Sequence, residues 1–231
     1  MKNIIPTPSQ TRAHIDEDRS RVLVEGGTVL FLVSLHNGYF KRQQIGELIS
    51  AIDREARAPL AFHFLITDGP SIHNYRALGY GDSEALPKIA KARRQVSNQI
   101  LHALHDRFTT LNHHHSFATV AWPQVYRDPH FISQLERMHE LYQSDAYLRS
   151  MIREGSCNAL SAMARCQSLS QARFNESDEE RLEEASHYVL EELALILASR
   201  HMPLCTGSNA AVFYYRQWPL LEYVLAQNKN S

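Results

Sequence analysis

No stretch of the chain stays apolar for long. The run Val29 to Val33, extended by Ser34 and Leu35, has the length of a strand, and the other apolar runs are as short. A helix that spans a bilayer needs roughly 20 such residues, so a membrane is not among the expected partners. The residues up to Glu25 are polar, include Pro6 and Pro8 and hold no apolar segment of the secretory type. Cysteine is scarce. Cys157, Cys166 and Cys205 are odd in number and match no zinc spacing, so a reduced cytoplasmic protein without a structural metal is expected. Net charge is also nearly absent, at -1. A protein that binds RNA needs a local basic face, not a basic total. The phosphate-cradling pattern G-x-x-x-x-G-K-[ST], the nucleophile elbow G-x-S-x-G and a G-x-G-x-x-G after a strand are all missing. Nucleotide-driven chemistry and dinucleotide cofactors therefore have no support, and no cofactor is expected. There is no internal repeat and no low-complexity tract.

What is present has the pattern of an α/β protein. With 231 residues, 44% of them hydrophobic, the chain can build one sizeable core. Residues 1–20 read as a polar arm and 21–231 as a single domain. Thr28 to Ser34 is rich in Val, Leu and Phe and is flanked by Gly26-Gly27 and His36-Asn37-Gly38, the pattern of a buried strand. Helical spacing follows over 41–57, a second buried strand over 60–67, a helix over 83–108 and a strand over 117–122. The second half is more helical. A stripe runs from Phe131 to Leu141, Ser177-x-x-Glu180 opens a helix to about Arg200, and a strand over 210–215 precedes a closing helix. Alternating strands and helices imply a Rossmann-like sandwich with a mostly parallel sheet and one helical insertion. Strand order is not legible.

Several residues are candidates for chemistry. Ser34 ends an apolar strand, at the sheet edge where ligands bind in open α/β folds. It suits a nucleophile or, more commonly, a cap for the next helix. Leu30 and Leu32 alternate with it along the strand. Tyr188 and Glu192 lie four apart on a helix, with Leu195 continuing their face. A phenol beside a carboxylate can hold an ammonium group and accept its proton. A half-buried tyrosine beside a solvated glutamate has the same spacing. On the helix at 83–108, Lys88, Lys91, Arg94, Asn98, His102 and His105 share one face, with Arg93 nearer the apolar side. That row suits a phosphate backbone or plain solvent. The run His113-His114-His115 lacks partners at zinc spacing, so no metal site is expected there.

Together these segments resemble the tRNA-dependent cyclodipeptide synthases, from about Asp18 to Leu225. Val29-Leu30-Phe31-Leu32-Val33-Ser34-Leu35-His36-Asn37-Gly38-Tyr39-Phe40 resembles the nucleophile segment. Asn74 to Tyr80 resembles the stretch before the basic helix. Tyr188-x-x-x-Glu192 resembles the tyrosine–glutamate pair, and Val212-Phe213-Tyr214-Tyr215 the final strand. One position departs: Tyr215 stands where the family has histidine or proline, which leaves Tyr215 as a second register for the catalytic tyrosine.

The resemblance implies a fold similar to the catalytic domain of class I tyrosyl- and tryptophanyl-tRNA synthetases. The chain carries neither HIGH nor KMSKS, so it is expected to use amino acids already activated. The implied partners are two aminoacyl-tRNAs, with no DNA and no membrane, acting on a monomer. Catalytic roles fall on Ser34, Asn37, Tyr188, Glu192 and Tyr214. Leu30, Leu32, Leu195 and Val212 are expected around the first side chain, and Lys88, Lys91, Arg93 and Arg94 on tRNA phosphates. Leu32 fills space where many relatives have glycine, so a small first residue such as alanine is expected. An aminoacyl-tRNA deacylase and a non-catalytic tRNA-binding module are the alternatives.

Overall fold

The computed structural model describes residues 12–13, 16–35, 41–166, 178–199, 201–202, 210–214 and 219–229. In chain order these form β1 (Arg12–Ala13), α1 (Asp16–Glu25), β2 (Gly27–Val33), α2 (Arg42–Glu55), β3 (Leu60–Ile66), α3 (Ser71–Ala77) and α4 (Asp82–Arg107). There follow β4 (Ser116–Val120), α5 (Trp122–Val125), α6 (Pro129–Ser144), α7 (Ala146–Cys166), α8 (Glu179–Ala198), β5 (Ala210–Tyr214) and α9 (Pro219–Lys229). Two compact units emerge: residues 1–67, 91–126 and 199–216 form one, and residues 68–90, 127–198 and 217–231 the other.

The first unit holds the sheet, in the order β1-β5-β2-β3-β4. β5, β2, β3 and β4 run parallel, and β1 pairs antiparallel with β5. This is the mostly parallel α/β fold that the alternating pattern implied. The central strands are apolar because parallel strands are covered on both faces. Leu30, Val29 and Val33 have no exposed surface, and Phe31 has 2%. Phe31 stacks on Phe64 with ring centroids 5.2 Å apart, and Phe62 on Phe117 at 5.3 Å. Such pairs add about 0.5–1.5 kcal/mol each beyond simple burial. Gly26 ends α1 at φ +83°, a conformation that side-chain-bearing residues adopt at a cost. Its N–H donates to the Val22 carbonyl at 3.0 Å and turns the chain into β2.

The strand expected over 117–122 stops at Val120. Trp122 instead opens α5, where Pro123 occupies the first turn. A proline is preorganised there and has no N–H to lend to a ladder. Two elements, β1 and α1, begin within the stretch read as a polar arm.

The second unit is helical. α8 packs against α3, α6 and α7. Caps set the helix starts. Asp128 accepts hydrogen bonds from the backbone N–H of His130 and Phe131 and opens α6. Asp145 accepts from Tyr147 and Leu148 and opens α7, and the Tyr223 hydroxyl donates to its other oxygen at 2.7 Å, tying α9 to that turn. Asp178 accepts from the Arg181 N–H at 3.3 Å ahead of α8. Ser177, expected as the cap, lies outside the described residues.

Candidate functional site

In the first unit the ladder between β2 and β3 fixes the position of Ser34. The Thr67 N–H donates to the Val33 carbonyl at 3.0 Å, and its hydroxyl reaches the same oxygen at 3.4 Å. Thr67 is wholly buried, so the residue before Ser34 is held from the interior while Ser34 itself is half-buried. Leu30 and Leu32 are buried and alternate with Ser34 along the strand. Leu30 pairs in register with His63 of β3 and Val212 of β5, and Leu32 with Leu65. Tyr214 closes β5, opposite Arg12 of β1. Asn37 and Tyr215 lie outside the described residues.

In the second unit Tyr188 and Glu192 share one face of α8, and both are largely removed from water. Tyr188 is 8% exposed and Leu195 wholly buried. Burial pushes the Glu192 carboxyl up to about 7, because a carboxylate in an apolar surrounding loses its hydration. Among the described residues nothing donates a hydrogen bond to it. A carboxyl of this kind is half-ionised near neutrality and can both accept and return a proton.

A second cluster on α8 had no counterpart in the sequence reading. His73 of α3 bridges two carboxylates, Nδ1 to Glu184 at 2.9 Å and Nε2 to Glu191 at 3.1 Å. Burial opposes charge on this ring, but the bonds to Glu191 and Glu184 outweigh it and raise its pKa. His187 packs between His73 and His139, with ring centroids 5.3 and 5.4 Å away. Burial, with His187 as second cause, lowers the His139 pKa. The partners of His73 lie 111 and 118 residues away in sequence, and no local pattern signals that pairing.

On α4, Lys88, Lys91, Arg93 and Arg94 are all exposed. Arg93, expected nearer the apolar side, shares the solvent-facing surface. Lys88 Nζ sits 5.1 Å from the centre of the Tyr80 ring. Lys91 and Arg94 have no ion pair among the described residues, so their charge is available to an anion. The inner face is Ala85, Ile89, Val96, Ile100 and Ala103.

The histidine run serves as a structural knot. Asp53, near the end of α2, accepts hydrogen bonds from the N–H groups of Asn112 and His113 and from His115 Nε2 at 2.9 Å. The Leu60 N–H donates to His115 Nδ1, so the His115 proton sits on Nε2. Burial works against the Asp53 charge, but the bonds from Asn112, His115 and His113 prevail and lower its pKa. Among the described residues no group of three or more His, Cys, Asp or Glu is placed to hold a metal. No described helix is long and apolar enough to cross a membrane.

The mostly parallel sheet with a serine at the end of a central strand, and the helical unit with its buried carboxyl, place the chain in the α/β class. The cyclodipeptide synthase family model matches residues 14–230, nearly the whole chain, and the chain belongs to that family. The structure of a cyclodipeptide synthase from Staphylococcus haemolyticus is similar at a TM-score of 0.69 and 15% identity, over 95% of this chain and 92% of that one. A cyclodipeptide synthase from Candidatus Glomeribacter gigasporarum, solved bound to Phe-tRNAPhe, gives 0.57 at 15% identity, over 83% and 88%. A Mycobacterium tuberculosis protein, whose structure relates cyclodipeptide synthetases to type I tRNA synthetases, gives 0.55 at 14% identity, over 92% and 97%. At these identities the likeness is one of fold. No curated protein sequence gives a significant match.

Proposed function

We propose that this chain is an aminoacyltransferase that joins the amino acids of two aminoacyl-tRNAs into a diketopiperazine. The observation that carries the reading is Glu192: a carboxyl raised to about 7, one helical turn from Tyr188, in a chain of this family. An amine must lose a proton as it becomes an amide nitrogen, and a base poised near neutrality suits that task.

The first aminoacyl-tRNA donates its acyl group to Ser34. The Ser34 hydroxyl adds to the ester carbonyl, the ribose oxygen leaves with the proton, and an aminoacyl-serine ester remains. Tyr188 and Glu192 hold the ammonium group of that residue. The amine of a second aminoacyl-tRNA then attacks the acyl-serine, Ser34 regains its proton, and a dipeptidyl-tRNA forms. The free amine of the dipeptide finally attacks its own ester, releasing tRNA and the six-membered ring. Tyr214 is the proposed proton relay, and Asn37 orients the serine loop. One ester is exchanged for another and then for amides, so no nucleotide is consumed. Leu30, Leu32, Leu195 and Val212 surround the first side chain, and Lys88, Lys91, Arg93 and Arg94 carry tRNA phosphates. The enzyme works as a monomer in the cytoplasm, where aminoacyl-tRNA is found.

Mass spectrometry of medium from a bacterial host expressing the chain, beside its Ser34→Ala variant, tests this. A diketopiperazine from the parent that the variant lacks is the expected result. The same product from both would remove Ser34 as nucleophile. Free amino acid in place of a cyclic product would make the chain a deacylase.

A further inference from the structure

Where α2 crosses the last turns of α4, the two helices leave a groove of about 320 Å³, lined by Arg42, Gln43, Gly46, Ala103, Asp106 and Arg107. None of these residues has a role in the proposed reaction. Gly46 and Ala103 are buried at the floor. Arg42 grips Asp106 with two parallel hydrogen bonds of 2.5 and 2.6 Å. Each partner moves the other away from its neutral form, since Arg42 lowers the Asp106 pKa and Asp106 raises that of Arg42. The only carboxylate among the lining residues is therefore already neutralised.

Arg107 is the charge left over. It is half-buried, and among the described residues its guanidinium has neither an ion pair nor a hydrogen bond. It lies against α2 because position 46 is glycine. A β-carbon there would fall 3.2 Å from Arg107 Nε and 3.5 Å from its Cγ. Glu47 is the nearest further carboxylate on α2, and it accepts a hydrogen bond from Gln43 Nε2 at 2.9 Å. His105 Nδ1 lies 3.9 Å from Asp106 Oδ1. A guanidinium held in a groove without a carboxylate partner is a fork of donors that suits a phosphate oxygen pair.

We propose that this groove is a phosphate-binding subsite, with Arg107 as its principal ligand and Arg42 as its rim. The phosphate belongs to an RNA backbone. Arg94 and Arg107 are thirteen residues apart on one continuous helix, which is about 20 Å at 1.5 Å per residue. Around the axis Arg107 is turned about 140° from Arg94, onto the flank of α4 that meets α2, so the groove is a separate contact beyond the exposed row of Lys91 and Arg94 and not its continuation. The RNA assignment rests on the tRNA reading of the preceding section. The phosphate chemistry of the groove does not.

The test is tRNA binding by fluorescence anisotropy over a series of salt concentrations, for the parent and Arg107→Gln, Arg107→Lys and Gly46→Ala. A lost phosphate contact removes about 0.7–0.9 from the slope of log affinity against log salt. Arg107→Gln is expected to show that loss, with affinity down about three- to tenfold near 100 mM salt. Arg107→Lys keeps the charge and should keep the slope, which a merely structural role for Arg107 does not predict. Gly46→Ala changes no charge and suits a helix interior, yet it should weaken binding by displacing the guanidinium. In parallel, inorganic phosphate at matched ionic strength should raise the Tm of the parent and not of Arg107→Gln. Equal slopes throughout, with no phosphate effect on Tm, would overturn the subsite and leave the tRNA reading standing. A phosphate effect lost in Arg107→Gln beside unchanged tRNA binding would overturn the RNA assignment in favour of free phosphate. A parent that binds no tRNA but keeps the phosphate effect would sink the tRNA reading itself.

Discussion

Glu192→Gln should make the protein more stable at alkaline pH and not at acid pH. The parent carboxyl is raised from 4.5 to about 7 by burial. Below the ordinary value it is protonated in both the folded and unfolded chains, so it contributes nothing. As pH climbs, the unfolded chain ionises first, and the folded chain must either keep the proton or bury a charge. The penalty on folding therefore grows between 4.5 and 7 and is full above that range. At about 1.4 kcal/mol per pH unit it reaches roughly 3 kcal/mol. Glutamine has the same shape and no charge, so the variant escapes this term. Its amide carries its own burial cost, which does not vary with pH. The informative quantity is thus the growth of the variant's advantage between pH 5 and 8.5, expected at roughly 2.5 kcal/mol. For a chain of this length that is roughly 5–10 °C in Tm. The assay is thermal unfolding by circular dichroism at both values. Parallel Tm–pH curves for parent and variant would refute a carboxyl governed by desolvation. A variant that loses ground at pH 8.5 would point to a charge-paired carboxylate.

The remaining predictions concern other elements. Replacing Lys91 and Arg94 together by alanine should weaken tRNA binding about tenfold and reduce the salt slope by about 1.5; filter binding across a salt series reads both. Asp53→Ala strips the partners from Asn112, His113 and His115, and should cost about 3 kcal/mol in urea unfolding at pH 7. Because the Asp53 pKa is lowered in the fold, the carboxylate's contribution is present above the ordinary aspartate value and fades as pH falls through the folded one. The gap between parent and Asp53→Ala should therefore narrow in acid. A gap that held constant would mean that the charge is not what the loop uses.

The central strands were legible because parallel strands buried on both faces must be apolar, and Val29–Val33 and Leu60–Ile66 have few polar residues to blur them. Their order was not. β5 inserts between β1 and β2, and that pairing joins segments nearly 200 residues apart, which no local pattern encodes. The long helix α7 escaped because its inner stripe is interrupted. Leu148, Ile152, Ser156 and Leu160 recur every fourth residue, but the third is a serine. Its hydroxyl is satisfied within the helix by the Ile152 carbonyl at 2.9 Å, so a polar residue sits where the hydrophobic period required an apolar one. The spacing of Tyr188 and Glu192 was readable, and the state of Glu192 was not. The burial of the C-terminal half of α8 comes from α3, α6 and α7 packing against it, and only that enclosure turns an ordinary glutamate into a group that titrates near neutrality.

The last rung between β2 and β3, from Thr67 to the Val33 carbonyl, also has a meaning in time. Amide hydrogens in the centre of a sheet exchange with solvent only when the whole sheet opens, whereas those beyond its end exchange through small local openings. The Thr67 amide lies on the border between these classes: it is the last donor of the ladder, its side chain is wholly buried, and its acceptor is the residue preceding Ser34. The serine is therefore mounted at the boundary between the slowest-opening part of the sheet and the chain that leaves it. Its backbone anchor should outlast the arrival and departure of many substrates.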